Sequence, residues 1–212
     1  MRKFSGLLFT AILLAAVSLP AAAADDTSDP AGHFQIRLRG VGVLPSPSAN
    51  IVISGSGIGG TTKVTDSMVP EADLTYFVTS NIAIEAIAAV TKHSVSNSVA
   101  GPVASVWLLP PTVTAQYHFD PTGPIRPYIG AGINYTVFYD AHSGLPNISF
   151  ANNVGWALQG GVDIPLADGP YFLNLDVKKL FLSTTIKAAS GAVRASANLD
   201  PWLVGAGVGI RF

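Results

Sequence analysis

The chain predicts an all-β fold, an eight-stranded antiparallel transmembrane β-barrel, and three observations predict it. Hydrophobic residues make up 49% of the sequence and charged ones only 12%, yet the apolar residues are alternated rather than clustered. Outside the N-terminus no run approaches the roughly 18 consecutive apolar residues that a spanning helix needs, so a membrane can be crossed only by strands. The last stretch, Trp202 to Phe212, sets Trp202, Val204, Ala206, Val208, Ile210 and Phe212 on one face. Leu203, the glycines Gly205, Gly207 and Gly209, and Arg211 form the other face, which is a strand pattern. An apolar terminal strand leaves a greasy edge in water, whereas in lipid the face is at home and barrel closure removes the edge.

The first residues are of another kind. Met1-Arg2-Lys3, about thirteen apolar residues from Leu7 to Leu19, and Ala22-Ala23-Ala24 describe a secretory signal peptide over 1–24, with a single barrel domain over 25–212. Export removes Arg2 and Lys3, leaving ten basic against thirteen acidic residues, a net charge of −3. That balance provides no basic stripe for nucleic acid. The chain has no Cys, which excludes disulfides, thiol catalysis and thiolate metal sites.

Each stave is legible from its alternation. The first, His33 to Leu44, sets Phe34, Ile36 and Leu38 against Gln35, Arg37 and Arg39, and the arginines must face the lumen because lipid would penalise them. Pro45 to Ser67 breaks the alternation and reads as a long loop, though with apolar Ile51, Val52, Ile53 and Ile58. The second stave, Val69 to Thr79, turns Glu71, Asp73, Thr75 and Phe77 inward, and Ser80-Asn81 is a tight turn. The third, Ile82 to Thr91, turns Glu85 inward. Lys92 to Leu108 reads as a second loop, carrying Val106 and Trp107.

The fourth stave, Leu109 to Phe119, has the cleanest alternation but begins with Pro110-Pro111. Two consecutive prolines remove two ladder donors, so the wall beside them should be locally unpaired. A short turn over 120–125 leads to the fifth stave, Arg126 to Phe138, and Tyr139 to Asn152 reads as a third loop carrying Phe150. The sixth stave, Asn153 to Ile164, turns Gln159 and Asp163 inward. The seventh, Tyr171 to Leu182, turns Asn174, Asp176 and Lys178 inward. A fourth loop, Ser183 to Leu199, leads to the closing stave. Four long loops alternating with three short turns is the pattern of bacterial outer-membrane barrels, with short turns at the periplasm.

The inward positions collect Arg37, Arg39, Lys178 and Arg211 against Glu71, Asp73, Glu85, Asp163 and Asp176. An eight-stranded barrel is only wide enough for side chains to fill it, so these charges should pair into a plug. The four His are scattered without metal-ligand spacing, no nucleophile motif surrounds any Ser, and no catalytic residue, metal or cofactor is assigned. Apolar loop residues mark a binding surface. Ile51, Ile53, Val106, Trp107 and Phe150 are expected to capture a small hydrophobic solute, which would leave sideways through the wall at Pro110-Pro111, above the plug. A structural or surface-receptor barrel without transport, serving stress tolerance or phage, bacteriocin or host recognition, is the alternative.

Several segments also carry a resemblance. LPPTVTAQYHF (Leu109 to Phe119), RPYIGAGINYTVFYD (Arg126 to Asp140), ALQGGVDIPL (Ala157 to Leu166), LNLDVKK (Leu173 to Lys179) and LDPWLVGAGVGIRF (Leu199 to Phe212) resemble, in order and spacing, the OmpW family of outer-membrane proteins, which includes AlkL-type alkane importers. The resemblance implies an eight-stranded barrel with a hydrophobic channel, closed toward the periplasm and opening laterally for small hydrophobic compounds. Its motif positions here include Leu109, Pro110, Pro111, Arg126, Pro127, Tyr128, Asp200, Pro201, Trp202 and Phe212. The stretch Asn153-Val154-Gly155-Trp156 departs from the family pattern, and the phase of Trp156 points to lipid. The terminal Phe212 resembles the signal read by the barrel assembly machinery. Expected partners are therefore outer-membrane lipid, that machinery and small hydrophobic solutes; the sequence leaves the oligomeric state open.

Overall fold

The computed structural model describes residues 29–99, 101–144, 146–166, 169–191 and 193–212; the segment 1–24, expected to be a signal peptide, lies outside them. Sixteen strands follow in chain order: β1 (Phe34–Leu44), β2 (Ser48–Ile53), β3 (Ser56–Ile58), β4 (Thr62–Val64), β5 (Ser67–Phe77), β6 (Ile82–Ala89), β7 (Thr91–Asn97), β8 (Gly101–Leu109), β9 (Thr112–His118), β10 (Arg126–His142), β11 (Ser149–Phe150), β12 (Asn153–Pro165), β13 (Tyr171–Phe181), β14 (Ser183–Ala188), β15 (Val193–Asn198) and β16 (Trp202–Arg211). Eight of them close an antiparallel barrel in the order β1-β5-β6-β9-β10-β12-β13-β16. The seam is β16 on β1, in register from Gln35 opposite Arg211 to Leu44 opposite Trp202. Phe212 completes it at the foot, exchanging backbone bonds with Phe34 at 2.8 and 2.9 Å.

Alternation decides what each stave shows to lipid. Leu38, Ile129, Trp156, Leu158, Leu175, Val204 and Val208 are all more than half exposed on the outer face, an arrangement that is unfavourable in water and natural in a bilayer. The inner face of the same strands is polar at the periplasmic end. Gln35, Arg37, Thr75, Glu85, Thr114, His118, Asp163 and Asn174 are buried there.

The structure corrects the sequence reading of the four long loops. Most of their length is strand, because period-two alternation persists there among small and β-branched residues. In 45–67 and 183–199, β2, β3, β14 and β15 join β11 in a second sheet of order β11-β14-β15-β2-β3. In 92–108, β7 and β8 form a hairpin that prolongs the barrel wall and carries β4 at its edge. The fifth stave runs on to His142 and pairs with β8. The fourth stave begins at Thr112 rather than Leu109, because the prolines interrupt it.

Close approach explains two glycines. A Cβ on Gly207 would collide with the Leu38 carbonyl oxygen of the neighbouring strand, and one on Gly209 with the ring of Phe172. The glycine face of β16 thus lets the seam close around the side chains that fill the foot of the lumen.

Candidate functional site

The inward phase of β1 carries Arg37 and Arg39 and then, two and four residues further up, Val41 and Val43. Read along the barrel axis, the lumen changes from ionic to apolar in that step. In the ionic part Arg37 lies 2.9 Å from Asp163 and 3.2 Å from both Asp73 and Glu85. Arg39 lies 2.6 Å from Asp73, 2.9 Å from Glu71 and 3.2 Å from Glu85. Lys178 joins Glu71 and Asp176, both at 2.8 Å. Glu85 is the hub, since its second oxygen also accepts from Thr114 and Gln116. These side chains come from β1, β5, β6, β9, β12 and β13, so the network ties staves across the lumen as well as around it. Charges this deeply buried are tolerable only when paired; each has an ion partner, and Arg39 Nε and Asp73 Oδ2 are held by ion pairing alone.

Arg211 sits apart from the other charges. It donates to Gln35 Oε1 at 3.0 and 3.1 Å and to the Pro121 carbonyl, and its guanidinium lies 4.7 Å from the centre of the Phe77 ring. His118 lies between Phe77, to which it is tilted, and Tyr128, on which it stacks, and Tyr128 faces Arg37. Three rings therefore fill the column at the periplasmic foot between Arg211 and Arg37, with each cation over an aromatic face.

Above the ions lies a narrow apolar chamber of about 40 Å³, walled by Val41, Val43, Leu180, Leu182, Leu199 and Leu203, with Glu71 at its floor. A second, of about 60 Å³, lies between the two extracellular sheets. One sheet contributes Ala49, Ile51, Phe150, Ile186, Ala195 and Ala197; the other, with the top of β10, contributes Val95, Val103, Val106 and Phe138. Val64, His93, Leu108 and Leu199 line both chambers. The two spaces meet at these residues.

Of the residues expected to capture solute, Ile51, Val106 and Phe150 line the upper chamber. Ile53 and Trp107 do not. Ile53 is 39% exposed at the hairpin end beside Ser54, whose φ is +48°. Trp107 follows Val106 on a strand and so faces outward, where it stacks on Tyr139 beneath Lys92. The sequence reading missed the lower-chamber wall and His93. Parity with Arg37 and Arg39 would have placed Val41 and Val43, parity with Lys178 would have placed Leu180 and Leu182, and parity with Arg211 would have placed Leu203.

His93 is fixed by its neighbours. The Thr65 carbonyl, 2.6 Å from Nδ1, can only accept, so Nδ1 carries the proton and Nε2 receives the Thr91 hydroxyl at 3.1 Å. Thr91 is bonded in turn to Ser67 at 2.8 Å. Burial holds the imidazole below its ordinary 6.5, against the opposing pull of the Thr65 carbonyl and Asp66. The unfolded chain therefore takes up this proton first as pH falls, and folding stability is lost below about pH 6.5. One proton bounds the slope at about tenfold in the folding equilibrium per pH unit. Melting of the purified protein between pH 7.5 and 5 should show this loss, and His93→Gln should flatten it.

The wall beside the lower chamber is interrupted where the prolines stand. β6 pairs with β9 up to Ile87 opposite Thr112, and β7 resumes with β8 at Thr91 opposite Leu108. The interval leaves Ala88, Ala89 and Val90 without ladder pairing to Leu109, Pro110 and Pro111. On the β10 side, the Tyr135 amide still donates to the Pro111 carbonyl at 3.0 Å. Pro110 lines the lower chamber, and Pro111 is exposed on the outer face.

A closed eight-stranded barrel with a lipid-facing apolar band, short turns at one end and β-extended loops at the other is a bacterial outer-membrane protein. The chain belongs to the OmpW family, matched over residues 30–212. It is 44% identical over 187 residues to the uncharacterized outer-membrane protein y4mB of Sinorhizobium fredii, covering 84% of this chain and 80% of the relative. It is 30% identical to the dibenzothiophene metabolism operon protein PahQ of Pseudomonas aeruginosa, covering 78% of this chain and 82% of that protein. The crystal structure of the outer membrane protein OprG from Pseudomonas aeruginosa superimposes with a TM-score of 0.80 at 25% identity, covering 89% of this chain and 99% of OprG.

Proposed function

We propose that this barrel is a passive, narrow channel for small hydrophobic molecules, which enter between the extracellular sheets and leave sideways into the membrane at Pro110-Pro111. The observation that carries this reading is the pair of apolar chambers meeting at His93, Val64, Leu108 and Leu199 above an ionic floor. A hydrophobic solute loses nothing by moving from one chamber to the other. Continuing down would mean displacing paired, buried charges, which costs several kcal/mol. The remaining way out is the unpaired stretch of wall, reached from inside at Pro110 and open to lipid at Pro111. PahQ, by its name, belongs to an operon for metabolism of dibenzothiophene, a compact apolar aromatic. The sequence contains no nucleotide-binding motif, so flux follows the solute gradient.

The test is the uptake rate of a small hydrophobic fluorescent probe in cells without the protein, with it, and with Pro110→Thr/Pro111→Val. Restoring ladder donors should remove most of the increase that the native chain confers. Equal rates in all three would sink transport of that probe class and leave surface recognition as the reading.

A further inference from the structure

Above its lipid-facing band the outer wall changes chemistry. Beyond the pair Trp156 opposite Phe181, where the start of β12 meets the β14–β15 ladder, a concavity is lined by Asn152, Asn153, Ser183, Thr185, Ser196 and Asn198. None of these is charged. Ser183 faces Asn198 and Thr185 faces Ser196 directly across the β14–β15 ladder. Phe181, Ser183 and Thr185 share one face of a nearly continuous strand, so the concavity continues the lipid-contacting surface upward.

Its frame is fixed and its interior side chains are open to solvent. Asn153 donates to the Ser183 hydroxyl at 2.6 Å and to the Ser183 carbonyl at 2.9 Å, and Asn152 accepts from the Phe138 amide at 3.1 Å. Thr185, Ser196 and Asn198 point outward, and their side chains hydrogen-bond to no described residue. Hydroxyls and an amide that both donate and accept, set on a rigid sheet without charge, match the hydroxyls of a sugar. Cations bracket the surface. Below, Lys179 lies 5.0 Å from the Trp202 ring centre and donates to the Asp200 carbonyl. Above, Lys187 stands opposite Arg194. Asp200, whose carbonyl Lys179 reaches, is itself engaged through its carboxylate by the Leu182 amide at 3.0 Å.

We propose that this groove binds the phosphorylated saccharide headgroup of an outer-leaflet glycolipid, whose acyl chains lie on the Phe181 and Trp202 face beneath. Continuity with that face favours a membrane-anchored sugar over a soluble one. Anchoring the chains holds the headgroup at high local concentration against the groove, and Lys179, Lys187 and Arg194 complement its phosphates.

The experiment is native mass spectrometry of the purified full-length barrel in micelles with three probes: lipopolysaccharide carrying its core sugars, the same lipid stripped to lipid A, and the free core oligosaccharide. The wild type should bind the sugar-bearing lipid about tenfold more tightly than lipid A, a difference of about 1.4 kcal/mol. Thr185→Val/Ser196→Ala/Asn198→Ala should abolish that preference while leaving lipid A binding and hydrophobic-probe uptake unchanged. Lys179→Gln should weaken both lipids alike. Equal binding of the two lipids by the wild type, or a preference that survives the triple substitution, overturns the proposal. Free oligosaccharide binding as tightly as the intact lipid overturns the membrane source. Should the triple variant fail to fold, Asn198→Ala alone carries the comparison.

Discussion

Val106→Asp is expected to cut uptake of a small hydrophobic probe at least tenfold while the barrel still folds. Val106 is 3% exposed and lines the upper chamber from β8, beyond the membrane-embedded staves. A carboxylate placed there either draws water into the chamber or stands unpaired in apolar surroundings. Either state raises the barrier to an apolar solute by more than the roughly 1.4 kcal/mol that corresponds to tenfold. The neighbouring Trp107→Gln is the control, because its side chain lies on the opposite face and should leave uptake near the native rate. Folding is read independently from the heat-modifiable mobility of the extracted protein. Native uptake by a folded Val106→Asp variant would remove the upper chamber from the route.

Arg37→Met should destabilise the barrel by about 3–5 kcal/mol, measured by urea unfolding in lipid vesicles. The substitution keeps an apolar stem but leaves Asp163 without its cation, and leaves Asp73 and Glu85 to share Arg39. It also removes the cation from over Tyr128 and Phe172. Arg37→Lys should recover only part of the loss, since a single ammonium cannot reproduce the fork that reaches Asp163 through Nε and Nη2 while Nη1 serves Asp73 and Glu85. Asp163→Asn added to Arg37→Met should cost less than the sum of the separate changes, as expected for residues in direct contact.

The staves were legible because lipid outside and ions inside give each strand two sharply different faces. Glu71, Asp73 and Glu85 on β5 and β6, and Asp163, Asp176 and Lys178 on β12 and β13, all stand on the inner face that alternation assigned. The extracellular strands were less legible because the contrast between faces fades there. Ser, Thr, Gly and Asn replace charges on the water side, and β2 or β14 reads like an apolar-tinged loop. Even so, parity held information that composition hid. Val106 and Trp107 are consecutive on a strand and cannot share a chamber, and Ile51 faces the chamber while Ile53, two residues on, is the last residue of β2 before the hairpin turn. The chamber walls were hidden for a different reason. Val41, Val43 and Leu203 lie in phase with arginines, and only the change of height makes an inward apolar side chain useful.

Pairing resumes in the same register on both sides of Pro110 and Pro111, so the wall is one strand pair in geometry and two in cooperativity. Amides of β6 and β9 below the prolines can exchange with solvent only when the membrane-held barrel opens. Those of β7 can exchange through an opening that stops at the break, because no ladder bond on that flank transmits it downward, while β8 stays tied to the base through the continuous β10. The chain thus consists of a rigid base carrying a lip anchored to it along one flank. Its mouth can loosen and re-form on its own timescale while the sheet held closed by lipid keeps its register.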